Sequence, residues 1–131
     1  MTGETDLAKL LKNMKPERRP GEFVFCVVNT LEQATELNPI CTFQEKEGVT
    51  VILPKRLADE CVLFYSVVCA WITLTVHSSL EAVGLTAAVS KVLTEAGISC
   101  NVVAAFHHDH LFIPVKDAEL AMDVLLSLTR V

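Results

Sequence analysis

Three stretches of this chain bring together residue types that do chemistry. The first is His77-Ser78-Ser79-Leu80-Glu81-Ala82-Val83-Gly84-Leu85, which lies between an apolar β-branched run and a helical stripe. The first N–H groups of a helix have no internal partner, and the aligned peptide dipoles favour an anion there. Ser78 and Glu81 have the spacing of a capping box. Ser78 or Ser79 can add a hydroxyl donor, and Gly84 admits close approach of a ligand or of another backbone. Helix starts near Leu80 and near Leu85 are both open, as are two readings: a capped helix with a glycine at a packing point, or a carboxylate site. The second stretch, His107-His108-Asp109-His110, has a metal-like composition. Neighbouring side chains of a tight turn point apart, however, and no Cys or Glu ligand is obviously supplied elsewhere. It reads as a polar hairpin turn whose histidines pack on the next strand, or as a hydrogen-bonding group at a subunit contact. The third is Asn101, whose amide in an apolar strand must find a partner. That partner is either backbone at the strand start or a ligand, on the expectation that this strand begins beside the loop after the previous one.

Catalytic constellations do not emerge. The chain has no G-x-S-x-G, no P-loop and no G-x-G-x-x-G. Its five cysteines show no C-x-x-C spacing and four lie in apolar runs, so they read as reduced buried thiols. No basic neighbour activates Cys100. The expectation is a protein without catalytic, metal or cofactor sites.

Composition narrows the class. A chain of 131 residues, 51% hydrophobic, can build one compact core or two small fused halves. A net charge of −5 argues against nucleic acid. Lys12, Lys15, Arg18 and Arg19 are interleaved with prolines and read as a solvated turn. Cys61–Leu80 carries no formal charge and is long enough to span a bilayer. Its serines, threonines and β-branched residues make it a buried strand running into a polar loop. The early charges of Thr2–Lys15 leave no leader-like apolar run, so a soluble, cytoplasmic protein is expected.

These residues need elements to position them. Leu7, Leu10, Leu11 and Met14 predict a short amphipathic helix, stopped by Lys15–Gly21 (KPERRPG). Phe23–Asn29 is a strand, Thr30–Pro39 a polar loop with a helical turn, and Ile40–Gln44 and Val49–Leu53 a hairpin around Glu45–Gly48. Lys55–Glu60 is a short helix. Leu63–Val76 is one long strand or two. Within it Ile72, Leu74 and Val76 alternate with Trp71, Thr73 and Thr75, and Trp71 reads as core. Leu85, Ala88, Val89, Val92 and Leu93 form one apolar helical stripe, with Gly97 at the C-cap. Cys100–Phe106 and Leu111–Pro114 are strands, and a helix runs from about Asp117 to Leu128. The order β-α-β-β-α is most of a ferredoxin-like split βαβ unit. The fold class is α+β, with two halves, 1–64 and 65–131, sharing a core.

With those residues in place, the chain resembles the ACT domain. Trp71–Leu93 (WITLTVHSSLEAVGLTAAVSKVL), Gly97–Pro114 (GISCNVVAAFHHDHLFIP) and Ile40–Leu53 (ICTFQEKEGVTVIL) carry the resemblance, which is to small bacterial stand-alone tandem ACT proteins. The NVVAAFHHDHLFIP stretch is also similar to cytosolic arginine sensors built from ACT repeats. The resemblance implies paired ferredoxin-like βαββαβ units associating side by side, usually as a homodimer. It implies an amino acid or similar small carboxylate as ligand, bound where the first loop of one unit faces another unit. The family's glycine loop falls on Ser79–Leu85, centred on Gly84, and the polar residue opening the next strand is Asn101. The usual acidic-x-Pro-Gly form is missing, because Val83 precedes Gly84. The expected ligand contacts are Ser78, Ser79, Val83, Gly84, Leu85 and Asn101. The alternative is a protein-interaction module with a vestigial pocket.

Overall fold

The structure, a computed structural model, describes residues 3–75 and 82–130. In chain order the elements are α1 (Gly3–Asn13), β1 (Lys15–Arg18), β2 (Phe23–Val28), α2 (Leu31–Glu36), β3 (Cys41–Glu45), β4 (Gly48–Pro54), α3 (Lys55–Glu60), β5 (Cys69–Thr75), α4 (Ala82–Glu95), β6 (Asn101–Ala104), β7 (Asp109–Pro114) and α5 (Ala118–Leu128). They gather into two units. The larger takes the chain up to Arg19 together with Ala70–Val131, and the smaller is Pro20–Cys69.

In the larger unit β5 is the pivotal strand. Its pleat sends Ile72 and Leu74 into the core, at 0% and 1% exposure, and Trp71 and Thr73 to the opposite face. One edge of β5 pairs antiparallel with β1, from Lys15 opposite Thr75 to Arg18 opposite Ile72. The other edge bonds to β7, which pairs with β6 from Asn101 opposite Phe112 to Ala104 opposite Asp109. The strand order is therefore β1-β5-β7-β6. From β5 to α5 the chain runs β-α-β-β-α, and the fourth strand of the ferredoxin-like pattern comes from the chain's beginning. Leu85, Val89 and Leu93 of α4 and Ala121 and Leu125 of α5 cover one sheet face, joined by Leu10 and Met14. The α4 helix ends as expected at Gly97, whose φ is +74°. Ile98 N–H donates to Leu93 O at 2.9 Å and Gly97 N–H to Thr94 O at 3.0 Å, the paired bonds of a Schellman cap.

The smaller unit repeats the pattern. Its strands run β3-β4-β2, and Cys69 pairs antiparallel with Phe23 in the place of a fourth strand. Val24, Cys26 and Val28 of β2 and Val49, Val51 and Leu53 of β4 pack on Ala34 of α2 and Ala58 of α3. Each unit is thus a ferredoxin-like βαββαβ arrangement, and the fold is α+β.

Three local expectations change. KPERRPG reads as a turn, yet Lys15–Arg18 is a strand. Pro16 lacks an N–H, which an edge strand tolerates because only one of its sides needs bonding. The helical turn expected in the polar stretch after Asn29 is longer, a six-residue α2 started by a capping box: Gln33 N–H donates to Thr30 Oγ1, and Gln33 Oε1 accepts from Thr30 N–H. The expected strand through Leu63 begins only at Cys69. Residues 63–68 are irregular, following a turn in which Val62 has a φ of +56°.

The pairing of β1 with β5 makes a direct prediction. Met14 is 3% exposed in the larger unit's core. Met14→Ala should cost roughly 2–5 kcal/mol and speed amide exchange in β6 and β7, far downstream, more than in β2–β4. Equal acceleration in both units, or acceleration confined to residues before Arg19, would contradict it.

Candidate functional site

The described part of α4 begins at Ala82, so Val83, Gly84 and Leu85 lie in its first turn. Gly84 is half-buried. Its φ is not positive, unlike those of Gly21, Gly48 and Gly97. A glycine inside a helix costs about 1 kcal/mol relative to alanine. The Leu85 side chain is 2% exposed in the core and so packs inward. Ser78 and Ser79 lie outside the described residues, as does the proposed Ser78–Glu81 capping box.

Asn101 opens β6 with an exposed side chain. In a strand–helix–strand crossover the second strand starts where the helix ends. The 14 residues of α4 carry the chain about 20 Å before β6 begins. Within this unit Asn101 is therefore remote from the first turn of α4, contrary to the expected proximity. The residue the fold does bring there is Asp109, at the head of β7. Thr86 Oγ1 donates to Asp109 Oδ2 at 3.4 Å, a long bond. Sequence reading placed Asp109 in a turn. Its neighbour in space was legible only once the strand register was known.

The histidine run is split by that register. The turn is Ala105–His108, where Ala105 N–H donates to His108 O at 3.0 Å. Phe106, 95% exposed, meets the His107 ring edge-on at 4.9 Å. The His108 Nδ1 is shielded from solvent and has no hydrogen-bond partner among the described residues. Asp109 and His110 belong to β7, opposite Ala104 and Val103.

His110 joins a polar cluster on the sheet face away from α4 and α5. Trp71 Nε1–H donates to His110 Nδ1 at 3.0 Å, and Thr73 Oγ1 lies 3.1 Å from the same nitrogen. Trp71, expected in the core, is half-buried on this face and stacks at 5.9 Å on Phe112. Arg19 Nε–H donates to Thr73 Oγ1 at 3.2 Å, and its guanidinium carbon lies 4.9 Å from the Trp71 ring centroid. Arg19 is thus half-buried rather than part of a solvated turn. Because His110 Nδ1 accepts from Trp71, the imidazole is the neutral tautomer with its proton on Nε2. Burial pushes the His110 pKa below the ordinary histidine value, and the charges of His108 and Arg19 push the same way against an opposing pull from Asp109.

Among the described residues no group of three His, Cys, Asp or Glu is placed to hold a metal ion. The cysteines are unbridged, with Cys26 and Cys69 buried, Cys41 and Cys100 half-buried and Cys61 exposed. Burial raises the thiol pKa of Cys26 and of Cys69, the opposite of activation.

Residues 2–70 and residues 66–127 each match a model of the ACT domain, so the chain belongs to the ACT-domain family. It is a tandem pair of such domains, which are regulatory ligand-binding modules. No curated protein matches the chain. Among solved structures it is similar to a Vibrio cholerae protein of unknown function, described as a possible transport protein: 43% identity, 98% of this chain and 99% of that one, TM-score 0.90. It shares its fold with the ligand-free regulatory subunit of aspartate kinase from Thermus thermophilus, at 9% identity over 86% of this chain and 95% of that one, TM-score 0.64. It also shares it with Escherichia coli aspartokinase III in complex with aspartate and ADP, at 14% identity over 90% of this chain and 33% of that one, TM-score 0.59.

The His110 geometry carries a pH dependence. The folded ring resists protonation, whereas the unfolded ring takes a proton below about 6.5. The unfolded state then binds the extra proton, so stability is lost as pH falls below that value. His110→Asn, which keeps an acceptor for Trp71 but does not titrate, should flatten this part of a urea-stability profile relative to wild type. Superimposable profiles would rule the cluster out as its source.

Proposed function

We propose that this protein is an amino-acid-sensing regulatory module that performs no chemistry of its own. Its ligand sits at the first turn of α4. The carboxylate is met by the N–H groups of Val83 and Gly84 at the end of the helix nearest Leu85, with hydroxyl donors from Ser78 and Ser79. The observation that carries the reading is the tandem ACT match combined with Asp109 beside that turn. A helix start favours an anion, and a carboxylate close by favours a cation. Together they fit the two charges of a zwitterionic amino acid better than a plain acid.

The regulatory step is a difference in affinity between association states. A ligand shifts an equilibrium only by as much as it prefers one state over the other. In a homodimer, Asn101 contributes from a second copy of the chain, since its own unit holds it far from α4. The partner that reads the change is a protein in the cytoplasm. Two observations fit this setting: the net charge of −5 disfavours nucleic acid, and no described helix is long and apolar enough to cross a membrane.

The test is a thermal-shift screen against the twenty amino acids. A ligand at about a hundredfold over its dissociation constant stabilises by about 2.7 kcal/mol, a shift of several degrees. One selective hit is expected, absent in a Gly84→Val variant that melts like wild type without ligand. A flat screen, or a Gly84→Val variant that responds normally, would favour an interaction module whose pocket is vestigial.

A further inference from the structure

On the sheet face of the larger unit away from α4 and α5, Arg19 is a cation held in place. Three attachments fix this residue. Its backbone N–H donates to Trp71 O at 2.8 Å, extending the ladder between β1 and β5. Its Nε–H donates to Thr73 Oγ1 at 3.2 Å, and its guanidinium lies over the Trp71 ring. Thr73 is only 1% exposed and is itself tied to His110, so the anchor is rigid. An arginine held this way has already lost the side-chain freedom that a flexible one gives up on binding.

What holds Arg19 does not neutralise it. A π face and a hydroxyl are its partners, and neither carries a charge. The ion pair recorded among the described residues is Lys55 with Asp59, in the other unit. Glu17, paired across β1 with Thr73, shares this face but forms no ion pair with Arg19. The Nη edge of the guanidinium, the part suited to a two-pronged grip, makes no hydrogen bond to a described residue. His110, neutral with its proton on Nε2, adds a donor within the same cluster, and half-buried Trp71, backed by the buried Phe112 ring, adds an aromatic surface.

We propose that this face binds a small organic carboxylate, gripped by both Nη groups of Arg19, with Trp71 as the floor of the site and His110 Nε2–H as an additional donor. Carboxylate matches the planar spacing of the guanidinium fork, and charge-assisted paired bonds are the strong class of hydrogen bond. The site is independent of the one at α4.

Trp71 is the single tryptophan of the chain, so its emission reports on this face directly. The full-length protein would be titrated with sodium acetate and with sodium succinate, ionic strength held constant with sodium chloride. Wild type should give a saturable change in Trp71 emission. Arg19→Lys keeps the charge but loses the fork, and should weaken the midpoint by roughly tenfold or more. Arg19→Met should abolish the response, with circular dichroism confirming that each variant is folded. Gly84→Val should leave it unchanged, which separates failure here from failure of the α4 site. A response linear in both probes for wild type, or an Arg19→Lys protein that matches wild type, would overturn the proposal.

Discussion

A strand inside a sheet must have both edges hydrogen-bonded, because unpaired backbone N–H and C=O groups away from water cost free energy. In the larger unit β5 meets this demand with β7, which follows it, and β1, which precedes it by most of the smaller unit. The rest of that unit depends on this arrangement. The β1 pairing brings Leu10 and Met14 into a core otherwise built from residues after Ala70. It also places Arg19, the next residue along, over Trp71. A segment that looks like a charged, proline-rich connector is thereby the closing strand of a domain and the source of a fixed cation.

The two faces of β5 divide the labour. Ile72 and Leu74 anchor the sheet to α4 and α5, and their burial fixes the register of the whole strand, since a slip by one residue would exchange the faces. Trp71 and Thr73 are then bound to appear on the opposite side, where His110 and Phe112 of β7 meet them. The same register carries Asp109 to the start of α4 rather than to the polar cluster. One alternation thus assigns adjacent residues, Asp109 and His110, to two separate polar sites.

Much of this was legible in the sequence. The stripe from Leu85 to Leu93, the alternation of Trp71–Thr75, the glycine at position 97 and the hairpin of Ile40–Leu53 are local patterns, and each appears as read. The β-α-β-β-α order of the second half followed from them, and the ACT resemblance rests on the same stretches. What escaped is non-local or short. The β1 strand has a composition that argues for a turn, and its reason to be a strand lies 54 positions away, at the Arg19–Thr73 separation. The α2 helix spans only six residues, so its capping box outweighs a periodicity too short to register. Asp109 and His110 looked like turn residues because polarity was the sole local signal. Their strand assignment comes from pairing with Val103 and Ala104. Asn101 was misplaced for want of one topological step: a helix between two strands carries the chain to the far end of the sheet.

The central claim is that the first turn of α4, beside Asp109, recognises an amino acid. Backbone amide shifts measured by NMR during titration with the amino acids, one at a time, test it most directly. The account predicts that one amino acid produces saturating shifts concentrated at Gly84, Leu85, Thr86 and Asp109. Saturating shifts elsewhere that leave those four amides unmoved, or no saturating shift with any amino acid, would contradict it.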